Sequence, residues 1–443
     1  MERTVRTLQS LKILENKRVV VVGAGVSGLA ACRFLLSLGA RVRLVDAKAE
    51  TPQDILLKVT ENPAEAGITL EAGAHSPRQF ADADLVVLSP GVPVKKLAAV
   101  LAGVDPWRVV AEMEFASWFL TEPVIAITGT NGKTTTTTLV GHILNHAGLT
   151  TFVGGNIGTP LCDYLMAETA VDVLVIEISS FQLQNCVSFA PRVACLLNFA
   201  ANHLDYHADM EEYLSAKLNL FARQDHGCLA IAPAAMREEL EARNYTKARR
   251  DYFTADTDFD CPGLPGEHNR ENIAAAWRMV RHFGVTPEQA RSAIAAFSAL
   301  PHRIDPVGTA NGILFVDDSK ATTLDSVVAA VKSFDKPVRL LMGGKFKGGV
   351  VENIIPALTG RVVSIGLFGH SREVFEPALA PHFPVTWDNT LEDAVRRQFA
   401  LATAGEVILL SPATASFDAY SGYAERGRDF ARVAKLLGAE VRA

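Results

Sequence analysis

Residues 128–135 read Thr-Gly-Thr-Asn-Gly-Lys-Thr-Thr, between the apolar run 123–127 and a helix-compatible stretch that reaches Ala147. A strand that passes through a glycine-rich turn into a helix, with lysine and hydroxyl at the turn, has the parts of a nucleoside-triphosphate cradle. Gly129 and Gly132 let backbone N–H groups converge on phosphate oxygens, and the helix adds its positive N-terminal end. Lys133 has the reach for the β- and γ-phosphates, and Thr134 offers a hydroxyl to Mg2+. Ile127 stands where the usual pattern carries its first glycine, so the loop is a shorter variant. A plain glycine turn with a solvated lysine is the competing reading. Strand, loop and threonine-rich helix start all agree against it.

A second glycine loop, Gly23-Ala-Gly25-Val-Ser-Gly28, follows the strand Arg18–Val22, and Asp46 closes the next strand. That spacing suits NAD or FAD, where the acid takes a ribose hydroxyl. The same physics serves any nucleotide diphosphate, a UDP-sugar included, and a purely structural turn is the third reading.

Other polar groups fall at strand tips. Glu177 ends the apolar run of Val175-Ile-Glu-Ile-Ser-Ser-Phe181, where a carboxylate beside a phosphate loop suits Mg2+ or a water on it; an edge glutamate in solvent is the alternative. His203, in Asn198-Phe-Ala-Ala-Asn-His203, is either a metal ligand or a satisfied loop histidine. Lys217 lies on an amphipathic helix, and residue types alone do not separate it from a solvated lysine. Arg303 has the forked donors that pair with phosphate or carboxylate. Asp318-Ser-Lys320-Ala-Thr322, Gly343-Gly-Lys345-Phe-Lys347-Gly-Gly349 and Ser411-Pro-Ala-Thr-Ala-Ser416-Phe417-Asp418 each follow a strand. In open sheets ligands bind at the carboxyl ends of strands. The shared location of these clusters argues for ligand contact more strongly than any one of them.

The elements that must position these groups alternate strand and helix, which predicts parallel α/β units. Strands are expected at 18–22, 41–45 and 84–88, then at 124–128, 173–178 and 193–198, then at 313–316, 338–342, 362–367 and 407–410. Helices are expected at 27–38, 134–147, 210–223, 269–283, 287–298 and 422–437. The reading is an α/β protein of three domains. A Rossmann-like nucleotide-binding domain spans 1–121, a central P-loop ATPase-like domain with a parallel sheet spans 122–305, and a C-terminal Rossmann-like domain spans 306–443.

Composition agrees with an enzyme. The 443 residues are 49% hydrophobic and 21% charged, with a net charge of −6, which leaves no basic footprint for nucleic acid. No run approaches the roughly 18 apolar residues a membrane span requires. Six scattered cysteines without a CxxC pair suit reduced thiols, so the cytoplasm is the expected compartment.

Over almost its whole length the chain resembles the Mur ligases, the ATP-dependent amide-forming family of peptidoglycan precursor synthesis. The resemblance rests on Gly129-Thr-Asn-Gly-Lys-Thr134, Glu177-Ile-Ser-Ser-Phe-Gln182, Asn202-His203, Gly266-Glu-His-Asn-Arg-Glu-Asn272, Leu300-Pro-His-Arg303 and Asp318-Ser-Lys-Ala-Thr322. It is most similar to the D-glutamate-adding branch, and lacks the Asp-Asn-Pro signature of the diaminopimelate- or lysine-adding branch. The resemblance implies that ATP phosphorylates the carboxylate of UDP-N-acetylmuramoyl-L-alanine and that the amine of D-glutamate attacks the acyl phosphate. It assigns ATP to Gly129, Thr130, Asn131, Gly132, Lys133, Thr134 and Thr135, with Asn269, Asn272, Arg303 and Asp318. Two Mg2+ ions would be served by Thr134, Glu177, His203 and a carbamylated Lys217. Lys133, Glu177, His203 and Lys217 are the catalytic set. Val26, Ser27, Asp46, Lys48, Gly91 and Asn156 match the UDP-substrate site. Lys320, Thr322, Lys347, Ser416, Phe417 and Tyr423 match D-glutamate recognition, with Lys345 as the alternative to Lys347. A monomer is expected. The weighed alternatives are a folylpolyglutamate synthetase-like ligase, an NAD-dependent oxidoreductase fused to an ATPase, and a P-loop switch.

Overall fold

The computed structural model describes residues 13–440 apart from 48–51, 91, 93, 168, 203–205, 256–257, 262–263, 265, 298–300 and 347. Three sheets organise the described chain. The first contains β1 (Arg18–Val22), β2 (Arg41–Asp46), β3 (Ile68–Ala72), β4 (Leu85–Leu88) and β5 (Val109–Ala111) in the order 3-2-1-4-5, all parallel. The second contains β6 (Val124–Thr128), β7 (Thr151–Gly155), β8 (Val173–Glu177), β9 (Val193–Leu196), β10 (Leu229–Pro233) and β11 (Arg249–Phe253). Its order is 11-10-9-6-8-7, again all parallel. The third contains β12 (Asp305–Ala310), β13 (Ile313–Asp317), β14 (Val338–Gly343), β15 (Val362–Phe368), β16 (Val385–Asp388) and β17 (Val407–Leu410). Here the order is 12-13-17-14-15-16, and β12 alone runs antiparallel, against β13.

The central strands are apolar on both faces, as parallel sheets covered by helices demand. Every residue of β6 and β8 is buried. Five helices bear on the site: α1 (Val26–Ser37), α2 (Lys133–His146), α3 (Met210–Leu218), α4 (Glu267–Val280) and α5 (Tyr423–Leu436). In α1, Ala30, Ala31, Phe34 and Leu35 recur on one face and are buried, and removing Phe34 from water contributes about 2 kcal/mol.

The contacts divide the chain into two compact units. One runs to Phe259 and includes Glu271–Ile294; the other comprises Asp260–Arg270 and the chain from Ala295 onward. The first unit holds two sheets over one continuous core, in which Val21, Phe34 and Phe115 belong to the same cluster as Ala126, Leu174 and Leu196. Polar ties reinforce it. Arg33 of α1 makes a forked pair with Asp163, through Nε at 3.1 Å and Nη2 at 2.9 Å. Buried Glu114 accepts from Trp118 Nε1 and from the backbone N–H groups of Ser188 and Phe189. The six cysteines are free thiols. Among the described residues no helix is long and apolar enough to cross a membrane.

Candidate active site

Both glycine loops sit where an open sheet leaves a crevice between adjacent strands whose connections leave in opposite directions. In the first sheet that point lies between β1 and β4. Gly28 packs so closely on the loop that a Cβ there would fall 1.9 Å from the Gly23 carbonyl oxygen. Asp46 turns one carboxylate oxygen into the loop and accepts the Ala24 N–H at 2.7 Å. Gly25 caps α1 without a side-chain bond, so its leading N–H groups suit an anion. Val26 is 70% exposed at the mouth of this loop, an apolar surface for a ligand, and Ser27 is half-buried beside it. Lys48 and Gly91 lie outside the described residues.

In the second sheet the crevice falls between β6 and β9, and the phosphate loop leaves the tip of β6. Gly132 caps α2 at φ 77°, with no side-chain bond to the helix start. The left-handed backbone favours glycine there, and a Cβ would meet Asn272 Oδ1 at 2.4 Å, so the Asn272 side chain would have to shift. Thr135 is buried in the first turn of α2. Lys133 folds over its own loop and donates to the carbonyls of Gly129 and Thr130, both at 2.8 Å. The Thr130 hydroxyl accepts the Ala200 N–H at 3.1 Å. Asn198 brackets the backbone of Asn131, its Oδ1 accepting the Asn131 N–H at 2.8 Å and its Nδ2 donating to the Asn131 carbonyl at 3.1 Å.

Glu177, at the tip of β8, is brought to this loop. Its Oε2 accepts the Thr134 hydroxyl at 2.7 Å and its Oε1 accepts Asn156 Nδ2 at 2.8 Å. A carboxylate and a hydroxyl on one spot form the oxygen donor set that a hard cation such as Mg2+ takes, so these residues fit that ion. His203 lies outside the described residues. Among the described residues no group of three His, Cys, Asp or Glu side chains comes together for a metal.

Lys217 is 1% exposed on α3, and Nζ donates to the Gly129 carbonyl at 2.8 Å. Nζ also lies 4.5 Å over the ring of Tyr213, whose hydroxyl meets Thr130 Oγ1 at 3.3 Å. Burial, with a smaller push from the charge on Lys133, holds its pKa well below the usual lysine range. Lys217 is therefore part of the loop's surroundings, which residue types alone did not reveal.

In the second unit β13, β17 and β14 are neighbours, so the three polar clusters at their tips converge. Asp318 accepts Ser411 Oγ at 2.8 Å and the Ile304 N–H at 3.3 Å. Burial pushes its carboxyl up to about 7, opposed by the Ser411 bond and the charge of Arg303. Lys320 Nζ lies 3.9 Å over the ring of Tyr423. Thr322 is half-buried and Ser416 buried, while Phe417 is 70% exposed. Lys347 lies outside the described residues; Lys345 is exposed and joined to Ala415 by paired backbone bonds of 2.9 and 3.0 Å. Asn269 is buried in the first turn of α4, on the part that belongs to this unit, and Asn272 on the part that belongs to the other.

Three contributors escaped sequence reasoning. Asn198 stands two residues past β9, a strand-tip position that marks it. Tyr213 precedes Lys217 by four residues, the spacing of neighbours on one helix face. Arg426 carried no signal. Its side chain is wholly buried and its guanidinium donates to Ser319 Oγ at 2.9 Å, to the Ser319 carbonyl at 2.8 Å and to the Thr414 carbonyl at 3.1 Å.

The Mur ligase MurD-like N-terminal domain matches residues 17–109 and the Mur ligase middle domain matches 127–260. Together with the relatives that follow, these matches establish that the chain belongs to the Mur ligase family. It is 51% identical over 419 residues to the UDP-N-acetylmuramoylalanine–D-glutamate ligase of Nitratidesulfovibrio vulgaris, covering 94% of this chain and 96% of that one. A ligase of the same name from Oleidesulfovibrio alaskensis is 49% identical over 93% of this chain and 92% of its own. Among solved structures, UDP-N-acetylmuramate-alanine ligase MurC of Thermotoga maritima aligns with a TM-score of 0.58 at 18% identity, over 95% of this chain and 99% of that one. The MurF ligase of Thermotoga maritima in complex with ADP also aligns at 0.58, with 17% identity and 97% of both chains covered. These two establish the likeness of fold.

Proposed function

We propose that this chain joins D-glutamate to UDP-N-acetylmuramoyl-L-alanine with the hydrolysis of ATP, in peptidoglycan precursor synthesis. The observation that carries the reading is the meeting of Thr134 and Glu177 at the head of a glycine-capped helix. That arrangement suits a phosphate chain and its cation. The similarity to D-glutamate ligases over nearly the full chain supplies the acid and the amine. The substrate carboxylate takes the γ-phosphoryl group of ATP and releases ADP. The D-glutamate amine then attacks the acyl carbon, loses a proton, and expels phosphate as the amide forms.

The chain's own contribution is placement and charge neutralisation. The N–H groups at the start of α2 and the ammonium of Lys133 draw the phosphates. Thr134 and Glu177 would hold Mg2+, which when bound neutralises phosphate charge. Lys217 would act as a carbamate. Its lowered pKa favours the neutral amine, the form that adds CO2 with loss of a proton, and the product is an anionic oxygen ligand. Asp46, Val26 and Ser27 would hold the UDP portion, with Asn156 beside Glu177 on the sugar side. Lys320, Thr322, Ser416, Phe417 and Tyr423 would receive D-glutamate, and Arg303, Asp318, Asn269 and Asn272 the nucleotide. The proposed place of work is the cytoplasm, where the nucleotide substrates are.

The test is phosphate release from ATP with UDP-N-acetylmuramoyl-L-alanine, Mg2+ and one amino acid at a time. Release with D-glutamate alone is expected. Release with a folate substrate instead, or none with D-glutamate, would overturn the reading.

A further inference from the structure

A phosphate loop works only if its peptides present N–H groups inward and keep carbonyl oxygens away from the anion. Three successive carbonyls of this loop are each engaged by a donor. Gly129 O accepts both Lys133 Nζ and Lys217 Nζ, Thr130 O accepts Lys133 Nζ, and Asn131 O accepts Asn198 Nδ2. The first two are held by amines. The third depends on a neutral amide from another strand.

We propose that Asn198 is a positioning residue of the phosphate loop, locking the peptide groups on both sides of Asn131 so that the N–H groups after it face the nucleotide. The inference rests on the ATP reading above. Asn198 contacts the loop at three points: its carbonyl accepts the Thr130 N–H at 3.1 Å, its Oδ1 accepts the Asn131 N–H at 2.8 Å, and its Nδ2 donates to Asn131 O at 3.1 Å. A side-chain amide alone among the residues of this size offers one acceptor and one donor side by side. The Asn131 N–H is thereby committed to Asn198. The phosphate donors of the loop are then the N–H groups of Gly132, Lys133 and Thr134. The strand order makes the lock possible, because β9 lies against β6 at the crevice, and Leu197 N donates to Thr128 O at 2.9 Å one step before the loop begins.

Replacing Asn198 tests this in the full chain, with Mg2+–ADP binding measured by calorimetry and steady-state constants for each substrate. Asn198→Ala removes both side-chain bonds, and about tenfold weaker ADP binding is expected. Asn198→Asp keeps the shape but turns an oxygen toward the Asn131 carbonyl and sets a negative charge beside the phosphates. It is expected to bind more weakly than the alanine variant, by a further factor of about ten that shrinks as salt is raised. The KM for ATP rises in both, while that for the UDP-substrate stays. A residue that merely fills space gives the opposite ranking, with the isosteric aspartate closer to the natural chain. Unchanged ADP affinity in the variants, or aspartate above alanine, overturns the inference. If the alanine variant does not fold, unchanged affinity in the aspartate variant overturns it by itself. No ADP binding by the unaltered chain would strike the ATP reading and this inference together.

Discussion

The Thr134 hydroxyl reaches Glu177 Oε2 at 2.7 Å, joining the phosphate loop to the neighbouring strand tip, while the other oxygen of the same carboxylate holds Asn156. One acid thus joins the glycine loop before α2 to Asn156. Glu177→Gln keeps the shape and removes the anionic oxygen. A fall in kcat on the order of 100-fold is expected, with the Mg2+ titration of phosphate release moved to higher concentration. A variant with the natural Mg2+ dependence would take Glu177 out of the cation site.

Lys217→Ala should abolish turnover. Excess bicarbonate should not restore it, because no amine remains to modify, whereas a small carboxylic acid should restore part. Activity equal to the natural chain would remove Lys217 from the site.

The same lysine makes stability depend on pH. Its folded-state pKa lies well below the ordinary value of 10.5, so between those two values the unfolded chain holds the extra proton. Stability then rises with pH across that window. In buffer stripped of CO2, the thermal midpoint of Lys217→Met should rise less steeply with pH there than that of the natural chain. Parallel curves would contradict a buried neutral amine.

Asp318 works in the opposite direction. Its carboxyl is raised from 3.8 to about 7 by burial, so the folded state holds the extra proton in between. The stabilisation from that proton is complete below the unfolded value and is lost as pH climbs to about 7. Asp318→Asn should gain thermal stability relative to the natural chain over that climb, and hold a constant lead above it. A lead that does not change with pH would show that Asp318 titrates normally.

Arg426→Lys retains the charge but cannot reach Ser319 and Thr414 together. The loops after β13 and β17 then lose their shared anchor. The KM for D-glutamate should rise about tenfold while that for ATP moves little, since lost hydrogen bonds of this kind contribute about 1 kcal/mol each. Equal increases in both would point to general damage.

Gly28→Ala would drive a methyl group into the Gly23 carbonyl. A higher KM for the UDP-substrate and a lowered thermal midpoint are expected. An alanine variant with natural constants would mean that the loop has room to move.

The strands most legible in the sequence were those such as β6 and β8, because an unbroken apolar run needs no partner to be recognised. The strands at the sheet edges were missed for the converse reason. Among them β11 reads Arg-Arg-Asp-Tyr-Phe with two exposed residues, and β16 reads Val-Thr-Trp-Asp, mostly half-buried. Their place is fixed by pairing with β10 and β15, which no local pattern announces. The glycine loops were legible because glycine is needed there. Lys217 was not, since a lysine on an amphipathic helix looks alike whether it faces water or a neighbouring loop. Arg426 was hidden similarly: its partners are backbone carbonyls and hydroxyls up to 107 positions away.

The apolar cluster that runs without a break beneath the first two sheets has a mechanical consequence. The two glycine loops rise from sheets that share one core, so moving one sheet against the other would expose apolar surface that is now buried. With the two loops holding the nucleotides as proposed above, a donor whose reacting carboxylate stood too near to its uridine, or too far from it, would be rejected by length.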